Sequence, residues 1–517
     1  MTATDGARPS GPAWPARNPF ERLYDALIDP ARCERTMAFL LVAYAIAWSV
    51  YGAIAKGSQD LHFDTGEMFA WSHEVGMSAP THPPLGAWLM RAWFALMPVE
   101  DWSFYLFGIN VATVGLWIAW RLAARYLPAE KRAVGILLLT FLPFYNFHAL
   151  KYNASSVLTP FWAATAWWFL KSFETRRAGW AALAGLAAAA AMLGKYWSLF
   201  MLAGLALAAI TDPRRGAYFR SAAPWLTFIV GAVALAPHLI FIASHGFTTF
   251  HFAMTSHVTT LADAVQWSLY FIASVIGYMA PAIVLNAFVT WPGLAAIKDT
   301  LWPVNAERRF FVIALATPFV LAALVAVAVQ ARLDPLWSMS GMILLPVVLL
   351  SSPLLAVHRA AAVRLLAMAI IFPLLAVAAS PAIAVVIHRY ALQNNYGTHY
   401  RLIAQAVAQA WRQQTGAPLR IVGSFRTVVD GTNPYFPSRP ATYAITSLER
   451  TPWVDEDRIR REGIAIVCPE PEIACVQEMN AYAARYGAKV EEVTLARRYF
   501  GTDDMPVRYQ IAIIPPR

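Results

Sequence analysis

"DTGEMFAWSHEVGMSAPTHPPLGAWL", residues 64–89, gathers three acids, two histidines and a Pro-Pro pair between long apolar runs. Its surroundings decide how it reads. The chain has 517 residues, 58% of them hydrophobic and 14% charged, against roughly 25% charged in an ordinary soluble domain. Crossing a bilayer takes ~20 apolar residues. Eleven such stretches precede residue 390, at 36–55, 102–124, 133–150, 154–172, 179–195, 197–212, 222–244, 266–290, 310–330, 337–355 and 365–388. The fold class is an α-helical polytopic membrane protein, and residues 64–89 fall in its first loop, 56–101.

The basic residues give the orientation. With the N-terminus cytoplasmic, twenty Lys and Arg up to residue 364 lie inside, and five lie outside: Lys56, Arg91, Lys151, Lys195 and Arg332. This is the positive-inside asymmetry. It accounts for most of the net charge of +10 without any call on nucleic acid. Residues 1–35 form a cytoplasmic segment, with an amphipathic piece in "NPFERLYDALIDPARC" and no cleavage site after the first apolar run. Residues 36–388 form the transmembrane domain. Eleven crossings leave residues 389–517 outside, which is periplasmic if the membrane is a Gram-negative inner membrane.

Composition changes at that point. Residues 389–517 carry 16 of the 41 Lys and Arg, and short β-type stretches ("PLRIVGS", "GIAIVCP", "RYQIAIIPP") alternate with helical ones ("RLIAQAVAQAWRQQ", "PEIACVQEMNAYAARYG"). The pattern is that of a small α/β domain. Cys468 and Cys475 both lie in it; an oxidising compartment permits a disulfide, and two buried thiols are the alternative.

The polar residues that interrupt the membrane domain gather on its outer side: Asp64, Glu67, His73, Glu74 and His82 in the first loop, His148, Lys151, Tyr152 and Asn153 in "HALKYNASS", and Lys195 and Tyr196 in "GKYW". His245, His251 and His257 follow, then Arg332 and Asp334. Charged groups at membrane depth are functional candidates by default. Either lysine alone can snorkel to headgroups, but two Lys-Tyr pairs at outer helix junctions argue against coincidence. Cations beside lipid suit a lipid-borne phosphate, and carboxylates beside them suit activation of a hydroxyl. Asp64 is also placed to cap a short helix, with Glu67 where a capping box wants Glu. Glu74 reads as solvated loop. The three later histidines, six apart, do not share a helical face and make a poor metal site.

"DTGEMFAWS" followed by "HPPLGAWL" resembles the first outer loop of family 39-like membrane glycosyltransferases, which have the GT-C fold. These include dolichyl-phosphate-mannose protein mannosyltransferases and bacterial enzymes that modify lipid A with aminoarabinose or galacturonic acid. "LKYNASS" and "LGKYWSLFML" resemble the bacterial branch. The resemblance implies a polyprenyl-phosphate sugar donor and an inverting, metal-independent transfer that needs no cofactor. It makes Asp64 the catalytic base and sets His82, where some relatives have Lys, at the donor phosphate with Lys195, Lys151 and Arg332. Tyr152, Asn153 and Tyr196, beside these lysines, become candidate substrate contacts. Many members have adjacent Asp-Glu; here Thr65 follows Asp64, and Glu67 is the candidate second acid. Lipid A or another envelope glycan is the expected acceptor, with protein O-mannosylation as the alternative. A transporter or flippase for a lipid-linked substrate would place its ionisable groups near helix centres, where this chain has almost none.

Overall fold

The computed structural model describes residues 18–246, 248–392 and 396–517. Residues 1–17 of the expected N-terminal segment lie outside the described residues. All eleven apolar stretches are helical. Six helices are long and apolar enough to span a bilayer alone: Cys33–Ala55, Asp101–Ala123, Ala223–Ser244, Leu261–Thr290, Ala306–Ala328 and Arg359–Arg389. Ala178–Gly194 and Ser198–Thr211 are shorter apolar helices, and Leu158–Thr175 fills the stretch before them.

Two stretches depart from a plain helix. Residues 129–150 form a pair bent by 82°, because the break before Pro143 interrupts the backbone ladder. In lipid the freed carbonyls need partners. Tyr44 supplies one, its hydroxyl donating to the Tyr145 carbonyl at 2.7 Å, and Asn146 donates its amide to Thr140 at 3.0 Å. The expected span 337–355 is a 3-10 helix, Pro335–Leu344, running into the short α-helix Leu345–Leu350. A 3-10 helix rises ~2.0 Å per residue against ~1.5 Å in an α-helix, so this shorter segment still reaches ~29 Å.

Several of the basic residues assigned to one side of the membrane are held by acids at one end of the bundle. There Arg132 pairs with Glu34 at 2.6 Å, Arg308 with Asp299 at 2.8 Å, and Arg359 with Asp25 on the amphipathic helix Pro19–Ile28. That helix begins with a capping box between Asn18 and Glu21 and buries Tyr24 and Leu27. Mid-bundle, the alanine-rich helix Ala178–Gly194 packs backbone to backbone on Ala223–Ser244: a Cβ on Gly185 would meet the Thr227 carbonyl oxygen at 2.4 Å, the close approach that small residues permit in lipid.

At the other end sits the C-terminal α/β domain. Its strands are β1 (Ile421–Ser424), β2 (Ala441–Ala444), β3 (Ile464–Pro469), β4 (Val490–Leu495), the small pair β5 (Arg498–Tyr499) and β6 (Thr502–Asp503), and β7 (Val507–Ile514). The five-stranded sheet runs β2-β1-β3-β7-β4, with β2, β1 and β3 parallel and β7 antiparallel to both neighbours. Its strands alternate with a period of two. Val422, Ala465, Val467, Ile511 and Ile513 pack under the helix Tyr400–Gln414. Ile421, Ile464, Ile466, Ala512 and Ile514 face the opposite way, toward the helix Ile473–Tyr486. Cys468 and Cys475 are joined by a disulfide that ties this helix to β3.

The domain is fastened onto the 56–101 loop. Asp60, fully buried, pairs with Arg497 at 2.5 Å and accepts from the Arg401 backbone. Arg401 reaches Asp101 at 2.9 Å, and the Leu61 N–H donates to Tyr435. Gly66 lies so close that a Cβ there would stand 2.3 Å from the Asp430 carbonyl oxygen.

Candidate functional site

The loop helix is Phe63–Glu74, and His62 is its N-cap: the Asp64 N–H donates to Nδ1 of His62 at 3.1 Å. This corrects the assignment of the cap to Asp64. Asp64 instead stands in the first turn, where the helix dipole favours its negative charge. Its Oδ2 lies 3.4 Å from Lys151 Nζ, accepts from Asn153 Nδ2 at 3.2 Å and is 3.9 Å from His62. Burial works to raise its pKa, but the pull of Lys151, helped by His62 and the Asn153 hydrogen bond, holds it down at about 2. A quarter of the side chain remains exposed, so an ionised carboxylate meets open space.

The segment after His148 explains which neighbours reach Asp64. Lys151 is extended, so successive side chains point opposite ways. Lys151 and Asn153 face Asp64. Asn153 is further fixed because its Oδ1 accepts the N–H groups of Ser155 and Ser156, each at 3.0 Å, which turns its amide nitrogen toward the carboxylate. Tyr152 faces the other way, fully buried, its ring 4.4 Å from Phe107 and its hydroxyl donating to the Gly86 carbonyl. Its expected role in substrate contact is therefore corrected: Tyr152 is core.

Lys195 donates to Ser155 Oγ at 3.0 Å and sits 4.5 Å from the Trp337 ring. Lys151 pairs with Asp64 directly, and Lys195 joins the same network one step away, through Ser155, whose N–H donates to the Asn153 side chain that in turn donates to Asp64. His82 lies in the same field, beside Trp71 and Phe252. Burial, then the repulsion of Lys195, lowers its pKa to about 3. It is a neutral imidazole at ordinary pH, able to donate a hydrogen bond but not a charge. Tyr196 donates its hydroxyl to His238 Nε2 at 2.8 Å, since the other nitrogen must donate to the Met77 carbonyl. This chain pins the loop to the helix Ala223–Ser244.

Arg332 is not brought into the cluster. It is exposed and stacks on Trp267 at 3.7 Å. His245 stacks on Phe241 and His257 meets the Trp337 ring edge-on, and among the described residues no three His, Cys, Asp or Glu side chains gather as a metal site.

The C-terminal domain supplies what the sequence did not. Arg426 grips Glu67 through Nη2 at 2.6 Å and Nε at 3.0 Å. Asp430, one turn further on the helix Arg426–Thr432, is 3.9 Å from the same guanidinium. Burial raises both carboxyls against the pull of Arg426, and Asp430, farther from the cation and repelled by Glu67, rises well above the ordinary carboxylate range. Glu67 is thus a buried fastener, not a second acid open to substrate. Glu74 is a further correction: it pairs with Arg458 at 3.5 Å rather than standing solvated. Arg426 and Asp430 have the i,i+4 spacing of a helical ion pair, but nothing local in the sequence tells that Glu67, 359 residues away, completes it.

The family model of dolichyl-phosphate-mannose-protein mannosyltransferases matches residues 81–241. No curated protein matches the chain. Two solved structures of ArnT from Cupriavidus metallidurans are similar to it. One, bound to undecaprenyl phosphate, gives a TM-score of 0.62 at 13% identity over 92% of this chain and 98% of that one. The other, in the apo state, gives 0.59 at 14% identity over 92% and 97%. At such identity the likeness is one of fold, and its coverage takes in the helices and the C-terminal domain together. The fold that the resemblance implies is borne out: the chain shares with these structures the architecture of a helical membrane bundle followed by a small α/β domain.

Proposed function

We propose that this chain is an integral-membrane glycosyltransferase that moves a sugar from a polyprenyl-phosphate donor to lipid A or another envelope glycan, with inversion and with Asp64 as general base. It works at the periplasmic face of the inner membrane, with its N-terminus cytoplasmic. One observation carries the reading: an ionised, quarter-exposed carboxylate stands against Lys151, with Lys195 linked to it through Ser155 and Asn153, at the bundle end covered by the C-terminal domain. The fold shared with an undecaprenyl-phosphate-bound structure supports the donor class.

The chemistry follows from charge. The acceptor oxygen bonds to the anomeric carbon as the bond from that carbon to the phosphate oxygen breaks; the electron pair leaves with the phosphate, and the acceptor proton goes to Asp64. Cations preorganised around the leaving phosphate stabilise the charge it gains. Lys195 and Lys151 are placed for that task, with His82 as a neutral hydrogen-bond donor. A carboxyl held at about 2 is a weak base in the resting site, since proton transfer is most efficient near the working pH. Lys151, at 3.4 Å, is the lever: a phosphate that draws this ammonium away loosens its hold on Asp64, and the base strengthens when donor is bound. A single base and no carboxylate nucleophile suits one displacement.

Mass spectrometry of lipid A and core oligosaccharide from cells with wild type, a deletion or Asp64→Asn at equal protein levels tests the reading. The expected result is loss of the same sugar from the deletion and from Asp64→Asn. A sugar lost in the deletion but kept in Asp64→Asn overturns the base. No change in either strain overturns the acceptor, and the protein acceptors implied by the matched family description come next.

A further inference from the structure

We infer that Arg450, contributed by the C-terminal domain, is a phosphate-binding residue of this site, taking a phosphate ester of one of the two lipid substrates. The inference rests on the reading above and adds a cation that neither the loop motif nor the membrane helices supply. Arg450 ends the 3-10 turn Leu448–Arg450 that follows β2. Its guanidinium lies over the Phe252 ring at 4.9 Å, and that ring is 6.4 Å from His82. Arg450 therefore reaches down from the domain to the side of His82, which also lies in the field of Lys195 and Asp64.

Its nitrogen Nη1 is buried and has no hydrogen-bond acceptor among the described residues. A buried N–H on a permanent cation is costly to leave without an acceptor. Of the acids that act on Arg450, Glu67 and Asp430 are engaged by Arg426, at 2.6 Å and 3.9 Å, and Glu449 points into solvent, exposed. Around this place stand Lys151, Lys195, Arg426 and Arg450, four cations, against the three carboxyls Asp64, Glu67 and Asp430, so the cluster retains positive charge for an incoming anion. A guanidinium offers a planar fork that matches two oxygens of a phosphate, and stacking on Phe252 fixes the plane of that fork. Lys195 and Arg450 act on His82 together, so a phosphate there meets two cations and one neutral donor.

The experiment uses the full-length chain purified in detergent as wild type, Arg450→Gln and Arg450→Lys, with binding measured by native mass spectrometry. The donor arm compares undecaprenyl phosphate with undecaprenol. The acceptor arm compares lipid A with its monophosphoryl form. Arg450→Gln is expected to lose about ten- to hundredfold in affinity for the phosphorylated partner of one pair, with the phosphate-poor partner unchanged and Arg450→Lys intermediate. Loss in the donor arm assigns Arg450 to the donor phosphate; loss in the acceptor arm assigns it to the acceptor. A wild type that prefers undecaprenyl phosphate alongside variants that keep every preference overturns the inference and leaves the proposed function standing. So does a fall in thermal stability with phosphate preference intact, the signature of a mere fastener. If Arg450→Gln does not fold, Arg450→Lys with full preference in both arms overturns it equally. A wild type indifferent to phosphate in both arms sinks the proposed function as well.

Discussion

Asp64 and Glu67 stand three residues apart on one helix, so they share a face, yet the two acids live in opposite circumstances. Asp64 is held by Lys151 and Asn153 of the membrane domain, keeps a quarter of its side chain open and is driven below the ordinary carboxylate range. Glu67 is held by Arg426 of the C-terminal domain, is 5% open and is driven up by burial. The same side-chain chemistry thus serves two ends. The acid facing open space is the proposed base, and the one facing the second domain ties that domain to the loop. The largest effect should break this contrast if it is wrong: Asp64→Asn is expected to lower transfer per folded molecule in a purified assay by about 10²–10⁴-fold, the usual worth of a general base. Equal loss from a well-folded Glu67→Gln would show that the acids share the chemistry.

Glu67→Gln should act on the fold instead. Removing one partner of a buried pair leaves the other charge uncompensated, which costs about 3–5 kcal/mol; the partial exposure of Arg426 puts the expectation near the low end. Thermal unfolding in detergent should show that fall, and Glu67→Leu with Arg426→Met should recover most of it, because an apolar pair leaves no orphaned charge. A double variant no more stable than Glu67→Gln would mean that the pair does more than fasten.

The same contrast explains what the sequence could tell. Helices were legible because apolar length is a local signal, and the β-strands because their alternation is. Asp64, Lys151 and Lys195 were legible because rare charges at outer junctions stand out against lipid, and Asn153 because it lies beside one of them; an ion pair and hydrogen bonds link these four. Tyr152 was misread through adjacency: in an extended segment the neighbour of a site residue points away from the site. Glu67, Glu74 and Asp60 were opaque because their partners Arg426, Arg458 and Arg497 lie in a domain that follows the whole membrane bundle. His62 was missed because histidine is not a usual N-cap. Arg332 was chosen by charge alone, and charge does not say where a side chain arrives.

The histidines of the loop sharpen the comparison by pH. Burial lowers both His62 and His82 from their ordinary 6.5 to about 3. The unfolded chain takes up protons near 6.5 that the folded loop refuses until about 3, so stability falls as pH drops through that window and is fully present above it. Asp64 adds its own loss only lower, between its ordinary 3.8 and about 2. Stability measured from pH 7 to pH 4 should therefore decline in wild type and decline less in His82→Gln. An unchanged slope would mean that His82 carries its proton already, and so offers the phosphate a charge.

The smallest effect is expected at Arg332. Its guanidinium is exposed and stacked on Trp267, away from the carboxylate that Lys151 contacts. A surface cation–ring stack contributes only about 0.5–1 kcal/mol, and screening by salt weakens its electrostatic reach further. Arg332→Gln should then leave affinity for undecaprenyl phosphate within about twofold, whereas Lys195→Gln, which removes a cation from the cluster itself, should cost about tenfold. Equal losses from both would extend the phosphate site outward past Trp337 of the 3-10 helix Pro335–Leu344 to Arg332 and Trp267. The division between a reactive half and a fastening half would then need a third part, a rim that recruits lipid.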